Sequence, residues 1–391
     1  MSEVANIPQL RFPEFGDNWE EKKLGNVTSI VMGQSPDSTS YNSNGIGLYL
    51  IQGNADIKKR KTLPRVWTDT PTKECKVGDI IMTVRAPVGA VAKSIHNACI
   101  GRGVCAIRNN QHSVSNYIYQ FLLSFEKKWV KFEQGSTFTA VNTKDVKSLK
   151  LILPPVQEQT KIAAFLTAVD NKIEQLSKKQ ELLGEYKKGL MQQIFSQAIR
   201  FKADDGSEFP DWEEKNGNEI FDNISNKNHD SDLPILAITQ EHGAIPRDLI
   251  NYKMIVSDKS VSSYKVVETG DFIISLRSFQ GGIEYSNYKG ICSPAYIILR
   301  PAIEIEKKFY KYYLKTYRYI QDLNRKLEGI RDGKMVSYKY FSEIKLPYPS
   351  ISEQAKIANF LSSIDNKIEQ VGKQLDESKQ FKKALLQQMF V

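Results

Sequence analysis

The sequence contains few of the residues that build metal sites or disulfide-stabilised folds. Its 391 residues include four cysteines and four histidines. No two cysteines form a CxxC pair, and only Cys99 and Cys105 are close in sequence. No histidine stands at the spacing of a zinc ligand, so we expect reduced thiols and no bound metal.

Long apolar runs are also absent. Nowhere do about 18 apolar residues follow one another, so the sequence predicts no membrane-spanning helix. The first residues, MSEVANIPQLRF, show neither the basic start nor the apolar stretch of a signal peptide. The composition, 41% hydrophobic and 25% charged, is typical of a soluble protein. We therefore expect a cytoplasmic location and no membrane partner.

Motifs for catalysis are missing as well. Adenine methyltransferases hold a flipped base with Asp/Asn-Pro-Pro-aromatic, whereas the one Pro-Pro here lies in LPPV at 153–156. Gly333-Lys334-Met335 does not complete a phosphate-binding loop. Glu343-Ile344-Lys345 has the Glu-x-Lys spacing of some nuclease sites, but alternating charge on a strand surface explains it equally well. We expect no catalytic residue and no cofactor.

The chain does contain an internal repeat. EQTKIAAFLTAVDNKIEQ at Glu158–Gln175 returns as EQAKIANFLSSIDNKIEQ at Glu353–Gln370, with 20 of 38 positions identical over 158–195. Weaker matches precede each copy, for example Val77-Gly78-Asp79 against Thr269-Gly270-Asp271. Because internal repeats decide architecture before local patterns do, we interpret the chain as two copies of one unit.

Each strong repeat predicts a long helix with an apolar seam. Every third and fourth residue is apolar at eight of ten positions in each copy, which is a heptad pattern. The two seams are Ile162, Leu166, Val169, Ile173, Leu176, Gln180, Leu183, Lys187, Leu190 and Ile194, and then Ile357, Leu361, Ile364, Ile368, Val371, Leu375, Ser378, Lys382, Leu385 and Met389. Both carry a lysine at the equivalent place.

A helix of about 40 residues is roughly 60 Å long, too long to lie on one small domain. Its seam needs a partner, either in a second chain or in the other copy. We favour an intramolecular antiparallel pair that holds two globular ends about 50 to 60 Å apart. The predicted domains are 1–155 and 199–350, with helical segments 156–198 and 351–391.

This order of segments resembles a known family. The motif P-x-x-EQ-x-KIA-x-FL-x-x-x-DNKIEQ, the FPEFGDNWEEKKLGNV segment, the GDIIMTVR strand and the run Gly135–Pro155 resemble the specificity (S) subunits of type I restriction-modification systems. The resemblance covers essentially the whole chain. It implies an α+β fold of two target recognition domains joined by two long antiparallel coiled-coil helices, with pseudo-two-fold repetition.

The resemblance also implies a function. Each target recognition domain would read one half of a bipartite double-stranded DNA target, and the helices would fix the spacer between the halves. The helices would dock modification subunits, which carry the methyltransferase chemistry, and restriction subunits, which carry the translocase and nuclease. The chain itself would be a non-catalytic reader and scaffold in DNA methylation and restriction.

In the first domain, polar loops are the candidate DNA contacts, because amide and cationic side chains read base edges or bind phosphates. A plain turn explains Gly33–Pro36 as well, and a solvated face explains the four-cation run at 58–61. Arg85, which has a counterpart in Arg277, suits a phosphate contact or a structural ion pair. The candidates are Gln34, Ser35, Asn54, Lys58, Lys59, Arg60, Arg85, Gln134, Ser136, Thr137 and Thr139.

In the second domain the corresponding loop departs from the family pattern, with Glu328–Lys334 in place of Gly-Ser-Thr. Its cations between glycines still suit DNA contact. The aromatic run from Phe309 to Tyr319 resembles a stacking platform, although its helical spacing is more typical of core. The candidate contacts in this domain are Gln240, Arg277, Gln280, Arg331 and Lys334.

The two predicted domains differ in net charge. Residues 1–157 carry a net +7 and residues 201–352 a net −1, within a total of +9. The second domain can therefore hold DNA only through a localised patch. Two alternatives remain, a coiled-coil adaptor that binds no DNA and a single-chain restriction-modification enzyme.

Overall fold

The computed structural model describes residues 7–134, 141–230, 232–250, 261–325 and 336–391. The chain divides into two compact units. The first comprises residues 1–178 with 372–391, and the second comprises residues 179–371. Each unit thus contains one globular part, the start of one long helix and the end of the other.

In its described residues, the globular part of the first unit contains two larger sheets beside three α-helices. One sheet has the strand order β2-β12-β9-β10-β6-β5 and the other the order β3-β7-β4-β11-β8, while β1 pairs with β13. The helices are α1 (Leu24–Val27), α2 (Ser115–Gln134) and α3 (Thr143–Ser148). The strands are β1 (Glu20–Lys23), β2 (Thr28–Met32), β3 (Tyr41–Asn42), β4 (Leu48–Ile51), β5 (Ile57–Lys58), β6 (Lys61–Thr62), β7 (Val66–Thr68), β8 (Glu74–Cys75), β9 (Ile80–Thr83), β10 (Val91–Lys93), β11 (Ala98–Ile100), β12 (Val104–Asn109) and β13 (Lys150–Leu153).

The second globular part repeats four strands of the central sheet, in the order β15-β22-β19-β20 that corresponds to β2-β12-β9-β10, beside the pairs β14-β23, β16-β17 and β18-β21. Its described helices are α5 (Gly217–Ile220), α6 (Ser278–Gly281), α7 (Lys307–Tyr313), α8 (Tyr317–Arg325) and α9 (Tyr338–Ser342). Its described strands are β14 (Glu213–Asn216), β15 (Phe221–Ile224), β16 (Leu236–Thr239), β17 (Gly243–Pro246), β18 (Lys265–Val267), β19 (Phe272–Ile274), β20 (Glu284–Tyr285), β21 (Gly290–Cys292), β22 (Ile297–Pro301) and β23 (Lys345–Tyr348).

A buried aspartate explains the Gly-Asp motif shared by the two halves. Asp79 accepts two hydrogen bonds from Arg108, at 2.7 and 2.6 Å, and a third from the backbone N–H of Lys76. Asp271 does the same with Arg300, at 2.8 and 2.7 Å. The side chains of both aspartates are less than 5% exposed. A paired fork of this kind fixes the turn before the central strand in both halves.

The two long helices are α4 (Val156–Phe195) and α10 (Ile351–Gln388). In the first unit, Ile162 and Leu166 from the start of α4 share a core with Leu385 and Met389 from the end of α10 and beyond it. In the second unit, the start of α10 shares a core with Ile194 at the end of α4. The start of one helix therefore meets the end of the other, which confirms the antiparallel intramolecular pair.

A salt bridge anchors the first turn of each long helix. The carboxylate of Glu158, fully buried, accepts from Arg11 Nε and Nη2, both at 2.8 Å, and from Trp19 Nε1 at 3.1 Å. Glu353 is the equivalent residue of the second repeat, and its carboxylate accepts from Arg200 Nη2 at 2.9 Å. The segment before each globular part is thus tied to the helix that follows it.

All four cysteines are buried and reduced. Burial raises the pKa of Cys105 to about 12 and the pKa of Cys292 to about 12, so both thiols stay protonated near neutral pH. Among the described residues, no group of acidic, histidine or cysteine side chains could hold a metal ion. No described helix is long and apolar enough to cross a membrane.

The anchor of α4 can be tested by removing its cation. In Arg11→Met the Glu158 carboxylate stays buried without a countercharge, so we expect the unfolding free energy of the first unit to fall by about 3–5 kcal/mol. The melting temperature of that unit should fall by roughly 6–20 °C in calorimetry of the full chain. The control is Lys161→Met, whose pair with Glu14 lies in solvent, so its loss should change the melting temperature little. Equal losses in the two variants would contradict the anchor.

Candidate nucleic-acid interface

Three loops of the first unit meet at one edge, beside the end of the central strand. The N–H of Gln34 donates to Ile100 O at 2.9 Å, and the N–H of Gly101 donates to Ile51 O at 2.8 Å. The N–H of Val84, next to Arg85, donates to Gly103 O at 2.9 Å. These bonds join loop 33–35, loop 52–54 and loop 101–103 into one surface, which we call edge 1.

Glycines allow the loops of edge 1 to approach so closely. A Cβ at Gly33 would lie 2.1 Å from Gly101 O, and a Cβ at Gly103 would lie 2.1 Å from Gln52 O. Backbone atoms occupy both places, so no larger residue fits without displacing a loop. Gly33, which first indicated a turn, and Gly103 are therefore close-packing residues of one surface.

Side chains that can read DNA project from edge 1. Gln34, Asn54 and Arg85 are exposed. Ser35 is half-buried and its Oγ accepts from the backbone N–H of Arg102 at 3.1 Å, which ties the first loop to the third. The structure thus brings four of the predicted residues of the first domain to one edge.

Arg102, which was not among the predicted contacts, is exposed at edge 1. Its signal was an arginine between two glycines, Gly101-Arg102-Gly103, directly after an apolar strand. An arginine fork at a loop tip suits either guanine or phosphate.

Other predicted contacts of the first domain lie outside the described residues or away from edge 1. Ser136, Thr137 and Thr139 fall in residues 135–140, which the structure does not describe, and Gln134 ends helix α2 just before them. The chain resumes beside Arg85, since the N–H of Val141 donates to Val84 O at 2.9 Å.

The basic run at 58–61 forms a tight hairpin. Lys59 and Arg60 occupy its turn with φ of 48° and 63°, while Lys58 is exposed on β5. Arg60 binds both carboxylate oxygens of Glu126 on helix α2, with Nη2 to Oε2 at 2.9 Å. Lys61 pairs with Glu174 of α4 at 2.6 Å. Two of the four cations thus contact the helices of their own unit.

In the second unit, Gln240, Arg277 and Gln280 are exposed. Arg277 directly precedes helix α6, and the side chain of Gln240 packs on Gly281, where a Cβ would lie 2.5 Å from its Cδ. Gln240 and Gln280 therefore belong to one surface, edge 2. The predicted contacts Arg331 and Lys334 fall in 326–335, outside the described residues.

The aromatic run of the second unit belongs to the core. Phe309, Tyr310 and Tyr313 are buried in one cluster with Ile194 of α4, and Tyr317 is exposed. Burial raises the pKa of Tyr313 to about 12. The helical spacing of these aromatic residues therefore reflects their packing in the core, as the sequence pattern favoured.

A groove of about 1350 Å³ lies beside edge 2, lined by Gln240, Lys311, Lys315 and Glu284 among others. Glu284 is 2% exposed and contacts Lys315 Nζ at 2.5 Å. Burial outweighs this ammonium and raises the pKa of the Glu284 carboxyl.

Comparison with known proteins shows the family. A family model described as type I restriction modification DNA specificity domain matches residues 16–183 and again 210–378. A putative type I restriction enzyme MjaX specificity subunit of Methanocaldococcus jannaschii is 37% identical over 205 residues, which cover 52% of this chain and 46% of that protein. The type I restriction enzyme MjaVIII specificity subunit of the same organism is 24% identical and aligns over 96% of this chain and 92% of its own length.

Solved structures show the same fold. The type I restriction-modification S subunit from M. genitalium superposes with a TM-score of 0.62 at 18% identity, covering 98% of this chain and 99% of that one. A chain from a type I restriction-modification system, studied for its complex assembly and conformational transition, superposes with a TM-score of 0.54 at 20% identity. The match covers 94% of this chain and 96% of that one. The chain therefore belongs to the type I restriction-modification DNA specificity family and carries two copies of its characteristic domain.

Proposed function

We propose that this chain is the reader of a type I restriction-modification complex and performs no chemistry itself. Residues 1–155 and 199–350 act as target recognition domains, each reading one half of a bipartite DNA target. Residues 156–198 and 351–391 hold the halves at a fixed spacer. The methyltransferase and nuclease activities reside in other subunits, and the absence of their motifs from the sequence supports this division.

The observation that carries the proposal is that both globular parts share one framework of strands but expose different side chains at edge 1 and edge 2. Both central sheets share four strands in the same order and the same buried Asp–Arg pair. Edge 1 presents Gln34, Asn54 and Arg102, whereas edge 2 presents Gln240 and Gln280. One frame that carries two sets of base-reading side chains suits two different half-sites.

Exposed identities on the long helices support equivalent partners for both halves. Packing constrains exposed positions little, so identity between the two copies there needs a cause outside the fold. Asn171, Gln175 and Lys188 of α4 are exposed, as are their counterparts Asn366, Gln370 and Lys383 in α10. We propose that these surfaces dock modification subunits and restriction subunits.

Genome-wide mapping of N6-methyladenine tests the function. A host that carries this chain with its modification subunit should methylate one bipartite motif with a single spacer. A reader of DNA also loses affinity steeply as salt rises. Methylation without a bipartite motif, or salt-insensitive partner binding with no DNA preference, would favour an adaptor instead.

Arg102 provides a test at residue level. We expect Arg102→Gln to weaken binding of the cognate duplex by about 1–3 kcal/mol and to relax discrimination at one position of one half-site. The measurement is fluorescence anisotropy of the assembled complex on duplexes altered one base pair at a time. Lys23→Gln, which removes the same charge from strand β1, is the control. Equal weakening on all sequences with a shallower salt dependence would mean that Arg102 binds phosphate.

The helices provide a test of the spacer. Four residues inserted after Gln180, matched by four after Val371, lengthen each helix by about 6 Å. At about 3.4 Å per base pair, the preferred spacer should grow by one or two base pairs with unchanged half-sites. Methylation mapping of the variant gives both quantities. A change of the half-site bases would show that readout and spacing are not separable.

A further inference from the structure

An aspartate near the middle of α4 joins three helices of the first unit. Asp170 Oδ1 accepts from Lys382 Nζ of α10. Its other oxygen, Oδ2, accepts from Gln120 Nε2 of α2 at 2.7 Å. One carboxylate therefore links the globular domain, the helix that follows that domain and the helix of the other repeat.

The second unit contains the same arrangement. Asp365 Oδ1 of α10 accepts from Lys187 Nζ of α4 at 2.5 Å. Asp365 Oδ2 accepts from the hydroxyl of Tyr312 on α7 at 2.7 Å. The two aspartates are equivalent in the repeat, and so are the two lysines, whereas the domain side supplies an amide in one unit and a phenol in the other.

These groups place polar atoms at positions where the surrounding pattern is apolar. Lys187 and Lys382 interrupt the apolar seams, and their side chains are 21% and 14% exposed. Gln120 is fully buried, and no hydrogen-bond partner for its Oε1 is found among the described residues. A buried polar atom without a partner costs stability. In some proteins such groups act in conformational specificity.

Hydrogen bonds and ion pairs are directional, so they restrict rotations between helices that apolar packing allows. Apolar side chains tolerate small rotations of one helix on another, whereas a charged three-way contact has one good geometry. Polar residues within a heptad seam are known to fix register at a cost in stability. The contacts of Gln120 and Tyr312 extend this restriction from the helix pair to the recognition domains.

We propose that Gln120–Asp170–Lys382 and Tyr312–Asp365–Lys187 are positioning junctions that hold each recognition domain at one angle on the helices. Their consequence is spacer fidelity, meaning rejection of targets whose half-sites stand one base pair too near or too far apart. This inference rests on the proposed function. It assigns specificity to residues that touch no DNA.

The test uses the full chain assembled with its modification subunits. Methylation rates are measured on duplexes that carry the mapped half-sites with spacers from three base pairs shorter to three longer. We expect Gln120→Leu and Tyr312→Phe each to raise the rate at one-base-pair errors, relative to the native spacer, by about tenfold, which corresponds to about 1.4 kcal/mol. Half-site preference should not change.

A stability measurement separates positioning from general weakening. Gln120→Leu removes a buried unpartnered oxygen, so its melting temperature should equal or exceed that of the parent while its spacer fidelity falls. The matched control for Tyr312→Phe is Tyr338→Phe. This change also removes a tyrosine hydroxyl, which donates to Phe221 O at 2.8 Å inside the second domain. It should keep parental spacer fidelity.

A charge exchange gives an independent check. Asp170→Lys alone should lose fidelity, and Asp170→Lys with Lys382→Asp should regain it, because the Gln120 amide can accept as well as donate. Unchanged relative rates in Gln120→Leu, Tyr312→Phe and Asp170→Lys would overturn the junctions. A parent chain that already methylates many spacers, or no bipartite target, would instead overturn the proposed function.

Discussion

The buried carboxylate in the first turn of each long helix is the constraint on which the rest of the molecule depends. Glu158 and Glu353 fix where the helices begin, and the glutamine that follows each one binds the loop before it. Gln159 Nε2 donates to Pro154 O at 2.8 Å, and Gln354 Nε2 donates to Pro349 O at 2.8 Å. The Glu-Gln pair of the repeat thus sets the direction of each helix from its domain, and the antiparallel pairing follows from that direction.

Local patterns in the sequence predicted the parts of the fold that local forces determine. The seam with Ile162 and Leu166 was visible as a periodicity, and its burial followed. Partners distant in sequence were not predictable in this way. The cation run could not reveal that Arg60 binds Glu126, 66 residues away, nor could the lysine in each seam reveal its aspartate. Likewise, edge 1 forms because glycine loops far apart in sequence close on one another, which brings Arg102 beside Ser35.

The distribution of cations explains how domains of opposite net charge can share one frame. Several cations are paired inside their own units: Arg108 with Asp79, Arg300 with Asp271 and Lys315 with Glu284. Each pair adds nothing to the net charge and offers no free cation to an anionic ligand. The charge available for recognition is therefore set by exposed residues such as Arg85 and Arg277, which the repeat places equivalently. Net charge alone is a poor guide to which domain holds DNA more firmly.

The packing of the end of α10 into the first unit has a consequence for biosynthesis. Leu385 and Met389 belong to the core that also contains Leu153, yet the ribosome adds Leu385 232 residues after Leu153. At about 5–20 residues per second, the first domain waits roughly 10–45 s for these side chains. During that interval an apolar surface on the nascent chain stays open. The domain made first is thus among the last to be completed, and a chaperone or an early-binding subunit has a defined surface to protect.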